Sequence, residues 1–246
     1  MVSHIRTWSR VMKDREFGKG GTNGVKSMTS QVLKGMSRYF DKEKIIEEKR
    51  QPLTWHLTKM IYEEGLRTSK ENAGVAVAIA FVGLYRMGEL TSTRNTPFNH
   101  TTDLAEAHIA FLPTFWTATT VTIYIGGSKA DQEGIKDAMK PRVLPTGVNT
   151  PGRWLRDMIA RRHNLPYGEE PTLTSRPLFQ NERGGQMSQR SVLRHMRSTL
   201  EKAGFTKHQQ MSYGTHSARI GGATALFRKG ATMEVIRELG GWASDA

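Results

Sequence analysis

The 246-residue sequence predicts a mainly α-helical fold that carries a small antiparallel β-sheet, an α+β arrangement. Three observations lead there. Apolar residues recur at helical spacing in most of the chain, runs rich in β-branched residues cluster between positions 108 and 144, and glycines fall where periodic segments end.

In chain order, residues 3–17 and 24–36 have helix-compatible apolar spacing, and the glycine-rich stretch Phe17–Gly24 separates them, which predicts a helical hairpin. Residues 41–51 are almost entirely charged. Thr54 then offers an N-cap for a helix carrying Leu57, Met60 and Ile61, and a second helix is expected from Ser69 to Tyr85. Strands are expected over His108–Leu112, Thr119–Ile125 and Arg142–Leu144. From Pro151 the pattern is helical again, with Trp154, Leu155, Met158 and Ile159 on one face, followed by helices over about 191–203, 215–229 and 232–239. Gly204, Gly230 and Gly240 stand at the expected stops. The organisation expected is a helical N-terminal part over 1–40, a charged linker over 41–52 and a larger domain over 53–246.

Composition narrows the function. With no cysteine, disulfide frameworks, thiolate metal sites and cysteine nucleophiles are excluded, and an intracellular setting is expected. The apolar run Ala73–Tyr85 is too short to span a bilayer, which takes about 20 residues, and the N-terminus lacks the apolar stretch of a secretory signal, so no membrane partner is expected. The 36 Lys and Arg against 23 Asp and Glu give a net charge of +13, which points to a polyanion, and nucleic acid is the expected partner. The excess is uneven. Residues 1–50 hold 12 basic and 6 acidic side chains, and residues 190–229 hold 8 basic side chains against Glu201 alone.

Several chemistries find no support. Gly20–Ser27 has the wrong spacing for a phosphate-binding loop, and the eight histidines form no metal pattern of the His-Glu-x-x-His kind, so neither a metal nor another cofactor is expected. What remains is His216-Ser-Ala-Arg219, expected on the first turn of a helix with Thr215 as its cap. There an imidazole and a guanidinium at i and i+3, together with the helix N-terminus, suit a phosphodiester.

Three further segments accompany it in order: Gly83-Leu-Tyr-Arg86-Met-Gly-Glu89-Leu, Ser128-Lys129-Ala-Asp-Gln-Glu-Gly134 and Leu239-Gly-Gly-Trp242-Ala-Ser244. With His216-Ser-Ala-Arg219-Ile-Gly-Gly-Ala-Thr224, this series resembles the boxes of the tyrosine recombinase, or phage integrase, family, with wording closest to the DIRS-like eukaryotic mobile-element branch. The resemblance implies an integrase-type catalytic domain over 53–246, preceded by part of a helical core-binding domain over 1–40. It implies a site of Arg86, Lys129, His216, Arg219 and Trp242 that breaks and rejoins DNA through a 3′-phosphotyrosine. In those roles Arg86 and Arg219 clamp the phosphate, Lys129 is a general acid, His216 contacts phosphate, Trp242 donates its indole N–H, and Glu89 orients a neighbour. The implied partners are double-stranded DNA and further copies of the chain, as a homo-tetramer on paired sites. No small-molecule cofactor is implied, and the setting is nuclear for a eukaryotic element, otherwise the cytoplasm or nucleoid.

In the family the nucleophilic tyrosine follows the last box by roughly eight or nine residues. The sequence ends four residues after Trp242, so the nucleophile is expected beyond Ala246, and Tyr85 and Tyr213 are expected to be packing residues. A DNA-binding protein derived from such an element, without cleavage activity, is the alternative, and a type IB topoisomerase shares the chemistry but not the wording of the boxes.

Overall fold

The computed structural model of the chain describes residues 50–92, 97–125 and 140–242. The chain divides into two units, Met1–Lys49 and Arg50–Ala246, and the described residues all belong to the second. The helices expected over 1–40 and nearly all of the linker over 41–52 lie outside the described residues.

Helix α1 spans Trp55–Arg67, and the Thr54 hydroxyl caps it by accepting from the Leu57 N–H at 3.2 Å. Helix α2, Glu71–Val82, is buried from Ala73 through Phe81. A helix apolar on every side must be enclosed by others, and α2 is: it packs against α1, α4 (Pro151–Arg162), α5 (Gln189–Lys202) and α7 (Ser217–Arg228). The second helix is shorter than the expected 69–85. Ser69 has φ 56° ahead of it, and at its far end Leu84 has φ 51° while the Tyr85 N–H returns to the Ala80 carbonyl at 3.2 Å. That is a Schellman-type stop with leucine where glycine is usual.

The short α3, Met87–Leu90, and a 3₁₀ turn at Glu106–His108 lead to strands β1 (Ile109–Leu112), β2 (Thr120–Ile125) and β3 (Lys140–Pro145). These pair antiparallel in the order β1-β2-β3. Ile109 lies opposite Ile123, Phe111 opposite Val121, and Val121 opposite Leu144; all five are buried, so they form the inward face of the sheet. The same register sets Arg142 opposite Ile123, at an inward position. Trp154 on α4 stacks on Tyr62 of α1 with ring centroids 4.0 Å apart. Beyond α5 come α6 (Lys207–Met211), a helix not among those expected, then α7 and α8 (Met233–Gly240). Gly204 and Gly230 have φ 86° and 87° at their helix ends, as expected. The third stop is displaced by one residue: Gly240 is still helical and Gly241, φ 65°, is the cap. No described helix is long and apolar enough to cross a membrane.

Two contacts decide how the helices seat. Helix α7 approaches its neighbours through adjacent glycines, since a Cβ on Gly222 would lie 1.9 Å from the Phe81 carbonyl oxygen and one on Gly221 would lie 2.1 Å from that of Leu53. At the other end of α2, the fully buried Glu106 carboxylate accepts from Arg162 at 2.7 Å, from the Thr174 hydroxyl at 3.1 Å and contacts His163 Nε2 at 3.2 Å. Arg162 also donates to the Asn72 side chain and the Leu178 carbonyl, so one network joins α2, α4 and the 3₁₀ turn.

Two outcomes follow from these contacts. Gly222→Ala forces backbone apart and should cost at least about 2 kcal/mol of stability, whereas Gly147→Ala, whose added carbon meets nothing closer than 3.9 Å, should be close to neutral. Urea unfolding of both variants measures this, and equal midpoints would remove the close-approach argument. Burial pushes the Glu106 carboxyl up, but Arg162, His163 and Thr174 outweigh it and hold the group below the ordinary glutamate range. A carboxyl depressed in the fold contributes stability above its unfolded pKa, and that contribution is lost as pH falls through the folded one. Denaturation midpoints measured from pH 7 down to 3 should therefore fall, and the acid-dependent part should be smaller in Glu106→Gln.

Candidate phosphate-binding site

The turn after α2 carries the first of the residues named from the sequence. Because Leu84 is left-handed, the chain reverses there, and Arg86 becomes the N-cap of α3. Glu89, three residues on, reaches back: its Oε2 accepts the Arg86 backbone N–H at 2.8 Å and its Oε1 accepts Arg86 Nη1 at 3.0 Å. This is the reciprocal half of a capping box, and it fixes both ends of Arg86. The expected orienting role of Glu89 thus has a geometry. Arg86 keeps about a third of its side-chain surface, 35%, open to solvent.

Arg219 comes from α7 and is 97% buried, with 3% of its surface exposed. Its Nη1 donates to the Leu84 carbonyl at 2.5 Å and its Nη2 to the Gly240 carbonyl at 2.7 Å. The Trp242 ring lies across its face, 4.3 Å from guanidinium carbon to ring centroid. The two glycines before Trp242 explain the placement. A Cβ on Gly240 would meet that ring at 2.1 Å, and Gly241 supplies the left-handed turn that folds the indole back.

A third guanidinium completes the cluster, and sequence reasoning missed it. Arg142, on β3, donates through Nη1 to the Gly83 carbonyl at 2.5 Å and through Nη2 to the Gly240 carbonyl at 3.3 Å. Its guanidinium carbon sits 4.2 Å from the centroid of the Tyr85 ring. Tyr85 is fully buried, its hydroxyl has no hydrogen-bond partner among the described residues, and burial pushes its phenol well above the ordinary range. The available signal in the sequence was a charged residue at an inward strand position, two residues before Leu144.

The arginines feel one another. Burial, the charge of Arg86 and that of Arg142 pull Arg219 down to about 10, against the opposing pull of Glu89. Arg142 is likewise lowered by burial and by Arg86, while Glu89 and Tyr85 oppose the shift. Among the described residues, three guanidiniums facing one carboxylate leave two net positive charges, a balance that a phosphodiester acquiring charge in its transition state would meet.

Of the predicted site residues, Arg86, Arg219 and Trp242 are brought together. His216 is placed differently from expectation. It is itself the N-cap of α7, which begins at Ser217, so Thr215 is not the cap. His216 is exposed, and its Nδ1 meets the Thr215 hydroxyl at 3.4 Å, while Arg219 one turn on points into the protein. Lys129 lies between β2 and β3, in residues 126–139, outside the described residues. Tyr213 packs edge-on against Phe205, centroids 6.0 Å apart. Among the described residues, no group of three or more His, Asp or Glu side chains is placed to hold a metal ion.

Arg219→Lys should destabilise the domain by about 1–3 kcal/mol, because a lysine lacks the planar fork whose two arms reach the Leu84 and Gly240 carbonyls, which weakens or leaves unpaired a buried acceptor. Guanidinium chloride unfolding tests this; unchanged stability would mean the two hydrogen bonds carry no weight.

The comparisons with known proteins address the family and the fold. Residues 119–246, just over half of the chain, match the family model of the phage integrase family. The tyrosine recombinase XerD of Corynebacterium glutamicum is 31% identical over 105 residues, which cover 43% of this chain and 32% of that protein. Among solved structures, XerH site-specific recombinase bound to its difH substrate in a pre-cleavage complex superposes with a TM-score of 0.51 at 18% identity, over 80% of this chain and 48% of that one. A lambda integrase dimer bound to a COC′ core site gives 0.48 at 18% identity, over 80% of this chain and 59% of that one. The chain thus spans about a third of the XerD sequence and half of the XerH chain. The expected mainly helical fold with its three-stranded antiparallel sheet is the one observed, and the chain belongs to the phage integrase family, the tyrosine recombinases.

Proposed function

We propose that the chain is the DNA-handling part of a site-specific recombinase that breaks and rejoins double-stranded DNA through a 3′-phosphotyrosine. The observation that carries this reading is the cluster of Arg86, Arg142 and Arg219 with Glu89 as its single carboxylate among the described residues. Attack of a tyrosine hydroxyl on a phosphodiester forms an O–P bond, breaks the bond to the 5′-oxygen and conserves the ester, so rejoining needs no external energy source. The demand on the protein is electrostatic, because charge builds on the nonbridging oxygens of a five-coordinate phosphorus.

Arginine meets that demand with a planar fork that stays charged. Arg219 spends two of its donors on carbonyls and retains the others. Arg86, held by Glu89 and partly exposed, is the cation best placed to be reached from solvent. Lys129 is assigned the proton delivered to the departing 5′-oxygen, His216 a phosphate contact at the mouth of α7, and Trp242 an indole N–H donor as well as the cover on Arg219. The nucleophile is assigned to neither Tyr85, which is enclosed, nor Tyr213, which packs on Phe205; it is sought beyond Ala246. Assembly as a tetramer on two paired sites, and a mobile-element origin of the DIRS-like kind, belong to the same proposal.

The test uses the chain extended through the codons after Ala246, offered a nicked suicide duplex of its own target in the absence of magnesium. A covalent protein–DNA adduct is expected, with Arg219→Ala lowering its rate by at least about 100-fold, the loss typical of a donor aimed at developing charge. An adduct indifferent to that change would overturn the clamp. Duplex binding with no adduct would favour a DNA-binding derivative without cleavage activity.

A further inference from the structure

We infer that Arg142 is a positioning residue of the phosphate site, the strut that sets the distance between the turn bearing Arg86 and the turn bearing Trp242. The inference rests on the reading of this cluster as a phosphodiester cradle. Arg142 bridges the Gly83 carbonyl, three residues before Arg86, and the Gly240 carbonyl, two residues before Trp242. Arg219 makes a parallel bridge from the next carbonyl, that of Leu84, to the same Gly240 oxygen. Each guanidinium lies over an aromatic ring, Arg142 at 4.2 Å from the Tyr85 centroid and Arg219 at 4.3 Å from that of Trp242. Two planar forks in parallel fix both separation and tilt between the turns, which one fork, or a point charge on a flexible stem, does not.

The strand that carries Arg142 adds a third connection. Arg142 is the third residue of β3, and residues 126–139, with Lys129 among them, join β2 to that strand. Its pairing opposite the fully buried Ile123 anchors the guanidinium from the core side. The strand that follows the lysine-bearing connection is thereby tied to the Gly83 and Gly240 carbonyls, the second of which Arg219 also holds. Arg142 is half-buried and its own charge adds to the field on Arg219, so it serves the site both by geometry and by potential. The geometric part is what the proposal asserts.

Geometry and charge separate in Arg142→Lys, which keeps the cation and loses the fork. The experiment titrates inorganic phosphate into the 246-residue chain and follows the indole ¹H–¹⁵N resonance of Trp242, assigned with Trp242→Phe. In the wild type, phosphate should shift that resonance. In Arg142→Lys the free-state Trp242 resonance should already be displaced and phosphate affinity should fall about tenfold, with Arg142→Met no worse than a further few-fold. Arg142→Lys binding phosphate as the wild type does would overturn the inference and leave the cradle standing, because charge alone would then suffice. A loss of folding in Arg142→Lys would also overturn it, making the residue a tie of the fold at large. A wild-type Trp242 resonance indifferent to phosphate would sink the cradle itself, a result visible before any variant is made.

Discussion

The carbonyl oxygen of Gly240 receives hydrogen bonds from two guanidiniums that arrive from distant parts of the chain, Arg142 from β3 and Arg219 from α7. Their other arms take the consecutive carbonyls of Gly83 and Leu84. The strand, the turn after α2, helix α7 and the end of α8 are thus joined at a single locus. Much of the surrounding structure can be read as what this junction requires. Leu84 accepts a left-handed conformation, costly for a branched side chain, because that reversal turns successive carbonyls toward the arginines. Gly221 and Gly222 let α7 come close enough for Arg219 to reach them.

Anchoring cations on carbonyls rather than carboxylates has an electrostatic consequence. A carboxylate at about 4 Å would attract a guanidinium by roughly 4 kcal/mol at an effective dielectric near 20, and would cancel most of its field at a bound anion. A carbonyl orients the fork and leaves the net charge in place. The one carboxylate in the cluster among the described residues, Glu89, is spent on Arg86, whose long side chain would otherwise be free to move. The depressed values of Arg219 and Arg142 are the cost of that arrangement, and burial is the largest contributor to both.

The sequence made some of this legible and hid the rest for physical reasons. Helices with caps, such as Thr54 ahead of α1, and strands with alternating burial, such as β1, are local, so spacing exposes them within a residue or two. Arg86, Glu89, Arg219 and Trp242 stood out because they occur in boxes of characteristic wording, and the structure brings them together around the Gly240 carbonyl and the Leu84 turn. His216 could be located but not its setting: the choice between Thr215 and His216 as cap depends on where the preceding loop lets the helix begin. Arg142 stayed hidden because its partners are backbone carbonyls, which carry no residue-type signature, and because its neighbours in space lie 59 and 98 positions away.

The glycines of the last box show why wording and geometry coincide. Gly240 must lack a Cβ because the Trp242 ring occupies that volume, and Gly241 must turn left-handed for the ring to arrive there. Once seated, the indole shields one face of the Arg219 guanidinium, so water is removed from the very cation whose carbonyl anchors leave it uncompensated. An electrostatic interaction strengthens as its surroundings lose water, and an anion entering beside Arg219 therefore meets a stronger field than the same charges would exert at an open surface. The aromatic cover, the two glycines beneath it and the shared carbonyl are parts of one device. In the proposed reading, a change to any of them would act on a bound phosphate through the position of a guanidinium rather than through a contact of its own.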